Sequence, residues 1–248
     1  MTVPERAPLG AALAMLLGVV SLTGALSPAL MAAVVALLSL LLGLAWPDLL
    51  ELPSPGGTRA VVAGTGMLAA LVTVVTPERF TPLTGVVMVC AAGVLASFVH
   101  QMLRRERRDL TQSLTGTVAG VFVAGIGACW VLAQSGALEA GTTGVVTALA
   151  AGMAATLLLN TLPLPGLTRF GIAAVSGAVL AAVLLSALAG IGPLLAGLVG
   201  AITVIGGGCA HLLVGSSLVS REPVPSLAVA TVPVATIGVA AHLAVLLL

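Results

Sequence analysis

The sequence predicts an all-α fold: a polytopic transmembrane bundle of about nine helices, N-terminus inside and C-terminus outside. Three observations predict it. First, the 248-residue chain is 59% hydrophobic and only 7% charged. A soluble domain carries about 25% charged residues, so this chain has too few polar groups to cover a water-facing surface. Second, its apolar residues fall in continuous runs rather than alternating ones. Most approach the ~20 residues a helix needs to cross the hydrocarbon core, and they exceed the ~10 of a barrel strand. Third, its arginines gather in alternate loops. Helices satisfy their own backbone in lipid, so runs of this length read as helices.

In chain order, the first span is 9–26 and the second 29–46, turned at Ser27-Pro28. The third is 60–75, closed by Thr76-Pro77, and the fourth is 83–99. The fifth is 114–132 and the sixth 143–159, ending in the polar and proline-rich stretch that starts at Asn160. The seventh, 171–189, is followed by the turn Gly190-Ile191-Gly192-Pro193. The eighth is 194–214 and the ninth 227–248. The segment 1–26 carries Arg6, an apolar stretch and small residues near Ala25, as a signal peptide does. Ser27-Pro28 leads straight into another apolar run, so a retained first helix is expected. The longest polar segments, 46–59 and 101–113, are loops, and the chain reads as a single integral membrane domain, 1–248.

Orientation follows from the arginines. Lysine is absent, so all nine basic residues are arginine. Placing Arg104, Arg105, Arg107 and Arg108 inside puts Arg6, Arg59, Arg169 and Arg221 inside too, and leaves Arg79 outside. That is the bias of the positive-inside rule, and a miscount by one span would destroy it. The absence of lysine and the excess of Ala, Gly, Leu and Val point to a high-GC bacterial genome, and so to a bacterial plasma membrane. A net charge of +1 points to no nucleic-acid partner.

The eight acidic residues all fall in loops or at interfaces. Ionisable groups in the hydrocarbon core are costly and usually functional. Their absence weighs against a proton-coupled pump, a metal transporter or an intramembrane metalloprotease. Cys90, Cys129 and Cys209 lie singly in apolar runs, without metal-ligand or disulfide spacing. No metal or cofactor is expected, and no catalytic set is visible.

The polar features that remain are few. The basic run Arg104-Arg105-Glu106-Arg107-Arg108 reads as a topogenic signal, and alternatively as a site for lipid headgroups or phosphate, whose oxygens suit guanidinium forks. Asp48 and Glu51 read as interfacial, with Asp48 capping a short helix after Pro47. Asn160 reads as a helix C-cap. His211 and His242 read as neutral hydrogen-bonding groups between helices. Gly116 and Gly120 form a GxxxG face that Ala124 continues, suited to close helix approach. Gly206, Gly207 and Gly208 cost about 1 kcal/mol each in helix propensity. They mark a close crossing, or else a kinked or unwound segment facing a cavity, which Asn160 and His211 would then line.

The basic loop followed by Leu114-Thr115-Gly116-Thr117-Val118-Ala119-Gly120-Val121 resembles the middle of bacterial phosphatidate cytidylyltransferases. So does the closing layout: glycine-rich Gly197 to Gly208, a short loop at Arg221, and a last helix introduced by Pro233. The resemblance covers about the last 150 residues as layout. It implies a membrane-embedded lipid protein. The metal-binding aspartates and lysines of that family have no counterpart in 206–225, where Glu222 is the one acid, so no catalytic residue is carried over. The chain also resembles uncharacterised multi-pass proteins of high-GC actinobacteria, which implies fold and location.

Three functions follow as expectations. The first is a non-catalytic scaffold or accessory protein that binds membrane lipids or other membrane proteins. The second is a carrier for an apolar or lipid-like solute. The third is an interfacial lipid enzyme, for which Asp48, Glu51, Glu106 and Asp109 are the only candidate acids. The missing constellation favours the first.

Overall fold

The computed structural model describes residues 7–75, 81–104 and 109–248. The described chain is an all-α bundle. Its helices are α1 (Ala7–Val20), α2 (Ser27–Leu49), α3 (Pro55–Val75), α4 (Pro82–Leu103), α5 (Leu110–Gly127), α6 (Cys129–Glu139), α7 (Gly144–Leu159), α8 (Gly166–Ala189), α9 (Pro193–Gly215) and α10 (Ser226–Leu247). Helices α5 and α6 share one apolar stretch, Leu110–Glu139, so the ten helices make nine rods. Seven rods are long and apolar enough to cross a membrane; α1 and α7 are shorter.

Local chemistry moves several ends away from the expected spans. The first run stops at Val20. There the Ser21 and Thr23 hydroxyls donate to the carbonyls of Gly18 and Val20 (2.9 and 2.7 Å), and Gly24 turns the chain at a φ of 66°. Helix α3 starts at Pro55 rather than residue 60, since proline in a first turn needs no N–H partner. Helix α4 starts at Pro82, capped by Thr81 Oγ1, which accepts from the Thr84 N–H at 3.3 Å. Asp48 caps no separate helix: α2 runs through Pro47 to Leu49. The fifth run extends from 110 to 139, its axis interrupted only at Ala128, where the N–H bonds the Gly125 carbonyl at 3.0 Å in a tighter turn.

Lipid offers apolar side chains no reason to leave it, so the bundle holds by close packing and by hydrogen bonds between helices. Helix α10 lies at the centre, against α1, α2, α5, α6, α7 and α9. A β-carbon at Gly238 would sit 2.7 Å from the Ile126 carbonyl oxygen, so only glycine lets α10 come this close to the α5–α6 junction. Trp130 is fully buried there and donates its indole N–H to the Val234 carbonyl at 2.7 Å. Met31, Leu38, Leu149, Met153, Val204 and Ile237 continue the core. At the opposite extreme, α4 is the least buried of the spanning helices.

Contacts also sort the helix ends. Trp46 reaches Gly116, Gln101 bonds Ser113, and Leu49 and Leu50 cluster with Val214 and Leu227. A β-carbon on Gly10 would meet Leu157 and Ala230. The 50–54, 160–165 and 216–225 connections, the end of α4 and the start of α5 therefore share one end with the start of α1. The other end holds Ser21, Ser27, Gln134 and Thr147, where buried Gln134 donates to the Ser27 hydroxyl and the Ser21 carbonyl (2.8 and 3.1 Å). Ser21 and Thr147 hydroxyls bond each other there.

Candidate functional site

The polar side chains concentrate at the first of these ends, in two groups. One lies where α2, α3, α4 and α5 meet. Helix periodicity puts Thr58 of α3 opposite Thr117 of α5, and their hydroxyls bond at 2.9 Å, fully buried. Thr117 also donates to the Ser113 carbonyl at 2.7 Å. Ser113 Oγ accepts from Gln101 Nε2 at 2.8 Å, and Gln101 Oε1 accepts from Arg104 Nη1 at 2.8 Å. Among the described residues, Arg104 is thus tethered to the end of α4 by a neutral chain of hydrogen bonds, with no carboxylate partner. His100, one turn earlier, shares a 2.9 Å hydrogen bond with Ser54, its ring filling the space a β-carbon on Gly57 would need.

Asp48 accepts a forked pair of bonds from Arg59 Nη2 at 2.9 and 2.8 Å, and Arg59 Nε donates to the Leu44 carbonyl at 3.2 Å. This pair is the one salt bridge among the described residues. It ties the end of α2 to the second turn of α3 while remaining partly open to solvent. Glu51 and Asp109 stand nearby in left-handed backbone (φ 51° and 49°), conformations that non-glycine residues rarely take. Neither is brought into a pair with Asp48, and Glu106 lies outside the described residues.

The second group sits where α7, α8 and α9 end or begin. Asn160 closes α7 and donates from Nδ2 to the Thr156 carbonyl at 3.0 Å, as a C-capping residue should. His211 is buried in α9, with Nδ1 3.4 Å from the Val229 carbonyl. Pro233 lacks the N–H that would otherwise occupy that carbonyl. Arg169, in the first turn of α8, lies near enough to His211 to act on it electrostatically. Its Nε is buried with no hydrogen-bond partner.

The other expected sites are placed as follows. Arg105, Arg107 and Arg108 lie outside the described residues. Gly206, Gly207 and Gly208 sit inside the unbroken helix α9. A β-carbon on Gly208 would meet the Phe170 ring at 2.9 Å, and one on Gly207 would run into Ile237 and Met153. These two positions are packed crossings. Gly206 is the one of the three with open space beyond it. The Gly116 and Gly120 face receives side chains rather than a neighbouring backbone: Leu52 lies on Gly116 and the Trp46 indole on Gly120. The indole N–H donates to the Gly116 carbonyl at 2.7 Å.

Sequence reasoning missed Trp46, Ser54, Thr58, His100, Gln101, Ser113, Thr117 and Arg169 as members of these groups. One signal was available: Ser113 and Thr117 are spaced to share a helix face, as are Gln101 and Ser97. Among the described residues no three His, Cys, Asp or Glu side chains gather as metal ligands. Cys90, Cys129 and Cys209 are free thiols. Chemically, this end offers guanidinium groups and hydroxyls set at a helix-bundle rim. Comparison with family models, with curated proteins and with solved structures finds no match.

Proposed function

We propose that this chain is a non-catalytic, multi-pass protein of a bacterial plasma membrane, a scaffold or accessory protein whose arginine-bearing end faces the cytoplasm and holds anionic lipid headgroups. The observation that carries this reading is the state of the arginines there. Of Arg59, Arg104 and Arg169, only Arg59 is matched by a carboxylate among the described residues. Arg104 is aligned by a neutral amide, and Arg169 keeps a buried N–H unspent. Guanidinium groups at a membrane rim without counter-charges attract the phosphates of anionic lipids, each cation near the surface contributing about 1 kcal/mol. The sequence adds Arg105, Arg107 and Arg108 directly after Arg104.

Native mass spectrometry of the protein extracted in mild detergent tests the reading. A preference for phosphatidylglycerol over phosphatidylcholine that disappears in the Arg104→Gln, Arg169→Gln double variant supports it. Equal retention of phosphatidylcholine and phosphatidylglycerol by the unaltered chain sinks the anionic-headgroup part. A co-purifying membrane protein without bound lipid leaves the accessory role and removes the lipid.

A further inference from the structure

We propose that the groove between α3 and α4 seats one acyl chain of an anionic phospholipid, with the phosphate held at His100 and Arg104. This rests on the anionic-lipid reading above and gives it a place. The groove has a volume of about 380 Å³ and is walled by Ala60, Gly64 and Leu68 on α3 and by Ala92, Gly93 and Ala96 on α4.

Two of its glycines differ in kind. A β-carbon at Gly93 would run into Thr65 and Val121, so Gly93 is needed for packing. A β-carbon at Gly64 would meet nothing within 4 Å. Glycine weakens a helix interior relative to alanine. At Gly64 no neighbouring group among the described residues requires that loss, and what the missing side chain leaves is room in the groove.

Dimensions and polarity select the occupant. Residues 60 to 68 of α3 span about 12 Å at ~1.5 Å per residue. That is close to one leaflet, half of the ~30 Å hydrocarbon core. A partner transmembrane helix would bring apolar side chains and no phosphate, and would leave the Arg104 fork unmatched. From Ala96 it is one helical turn to His100, whose ring caps the groove's α3 side at Gly57, and Arg104 follows directly after the helix end. Arg104 spends one Nη on Gln101 and has the rest of its fork for phosphate oxygens. A neutral hydrocarbon would leave Arg104 idle, and a free phosphate would leave the groove empty. An anionic lipid uses both.

The test is titration of delipidated protein in detergent with phosphatidylglycerol, read by native mass spectrometry. Gly64→Leu fills the groove from its α3 wall. Gly197→Leu makes the same change at a position on α9 that also faces open space, and serves as control. The expected result is one tightly retained phosphatidylglycerol in the unaltered chain and in Gly197→Leu, lost in Gly64→Leu. Arg104→Gln is expected to keep a lipid in the groove but erase the preference for phosphatidylglycerol over phosphatidylcholine. If Gly64→Leu melts far below Gly197→Leu, Ala92→Leu carries the same test from the α4 wall. Undiminished lipid in a folded groove-filled variant overturns the groove assignment. If Arg104→Gln, Arg169→Gln still loses the preference for phosphatidylglycerol in that case, the broader reading survives alone. A dimer that Gly64→Leu dissolves without lipid loss assigns the groove to a second copy and overturns the lipid.

Discussion

At the scale of single residues, the informative groups are polar side chains held where lipid offers no hydrogen bonds. Trp46 illustrates the balance. Its indole ring fills the space over Gly120, and its N–H satisfies the Gly116 carbonyl at 2.7 Å. Trp46→Phe removes the hydrogen bond and the part of the indole that a single ring cannot replace, so a loss of about 1–3 kcal/mol is expected. Gly120→Leu puts a second side chain where the indole and Val62 already lie, and a loss at the upper end of that range, or failure to fold, is expected. Thermal unfolding in detergent, followed by labelling of buried Cys129, measures both. A Trp46→Phe cost equal to that of Gly120→Leu would show that emptying the seat costs as much as overfilling it. The residue types read from the sequence were partly the right ones. Arg104, Asn160 and His211 do sit in the polar groups at this end, and Asn160 and His211 make the bonds expected of them. Trp46 and the Gln101–Ser113–Thr117–Thr58 chain were not legible. Each looks ordinary alone, and only the rotation of α2, α3, α4 and α5 about their axes brings them together.

At the scale of elements, the runs of apolar residues located every rod, and prolines misplaced several of their ends. Pro55, Pro82 and Pro193 read as loop residues in sequence and open helices in the structure, because a first helical turn has no use for their missing N–H. Pro233 shows the opposite situation, a proline inside helix α10. It frees the Val229 carbonyl, and the element that repairs the loss is α9, through His211 Nδ1 at 3.4 Å. This makes a coupling testable by a double-mutant cycle. His211→Leu alone strands a buried carbonyl and is expected to cost about 0.6 kcal/mol, the average for such bonds between membrane helices. In a Pro233→Ala background the alanine N–H takes over the carbonyl, and the cost of His211→Leu should shrink toward zero. An unchanged cost would mean that His211 stabilises α9 against α10 by packing alone. The glycine at 238 belongs to the same helix and sets how near it lies to the α5–α6 junction. Gly238→Val is expected to cost about 1–3 kcal/mol in the same thermal assay, since the Ile126 carbonyl and Trp130 leave no space for it.

At the scale of the whole molecule, the question is which end faces the cytoplasm. The antiparallel run of helices places Arg59, Arg104 and Arg169 at one end of the bundle. The other end holds the uncharged Ser21, Ser27, Gln134 and Thr147 and, at the close of α6, the acid Glu139, with no arginine among the described residues. The structure therefore supplies an asymmetric object, and the positive-inside rule assigns its direction. Two single-cysteine variants in a cysteine-free background test the assignment. Gln112→Cys lies exposed at the arginine-bearing end, and Ala140→Cys lies exposed after α6 at the opposite end. A membrane-impermeant thiol reagent added to intact cells should label Ala140→Cys at once and Gln112→Cys only after the membrane is opened. The reverse pattern would invert the molecule and turn the headgroup site toward the outer leaflet. The same pair reports on what sets the direction. Replacing Arg104, Arg105, Arg107 and Arg108 together by Gln removes nearly half of the chain's nine positive charges. If those arginines act in insertion, Gln112→Cys should become partly labelled from outside, a mixed population in two orientations. If orientation holds while phosphatidylglycerol is lost, the remaining arginines suffice to orient the chain. The basic run then belongs to lipid binding rather than to topology.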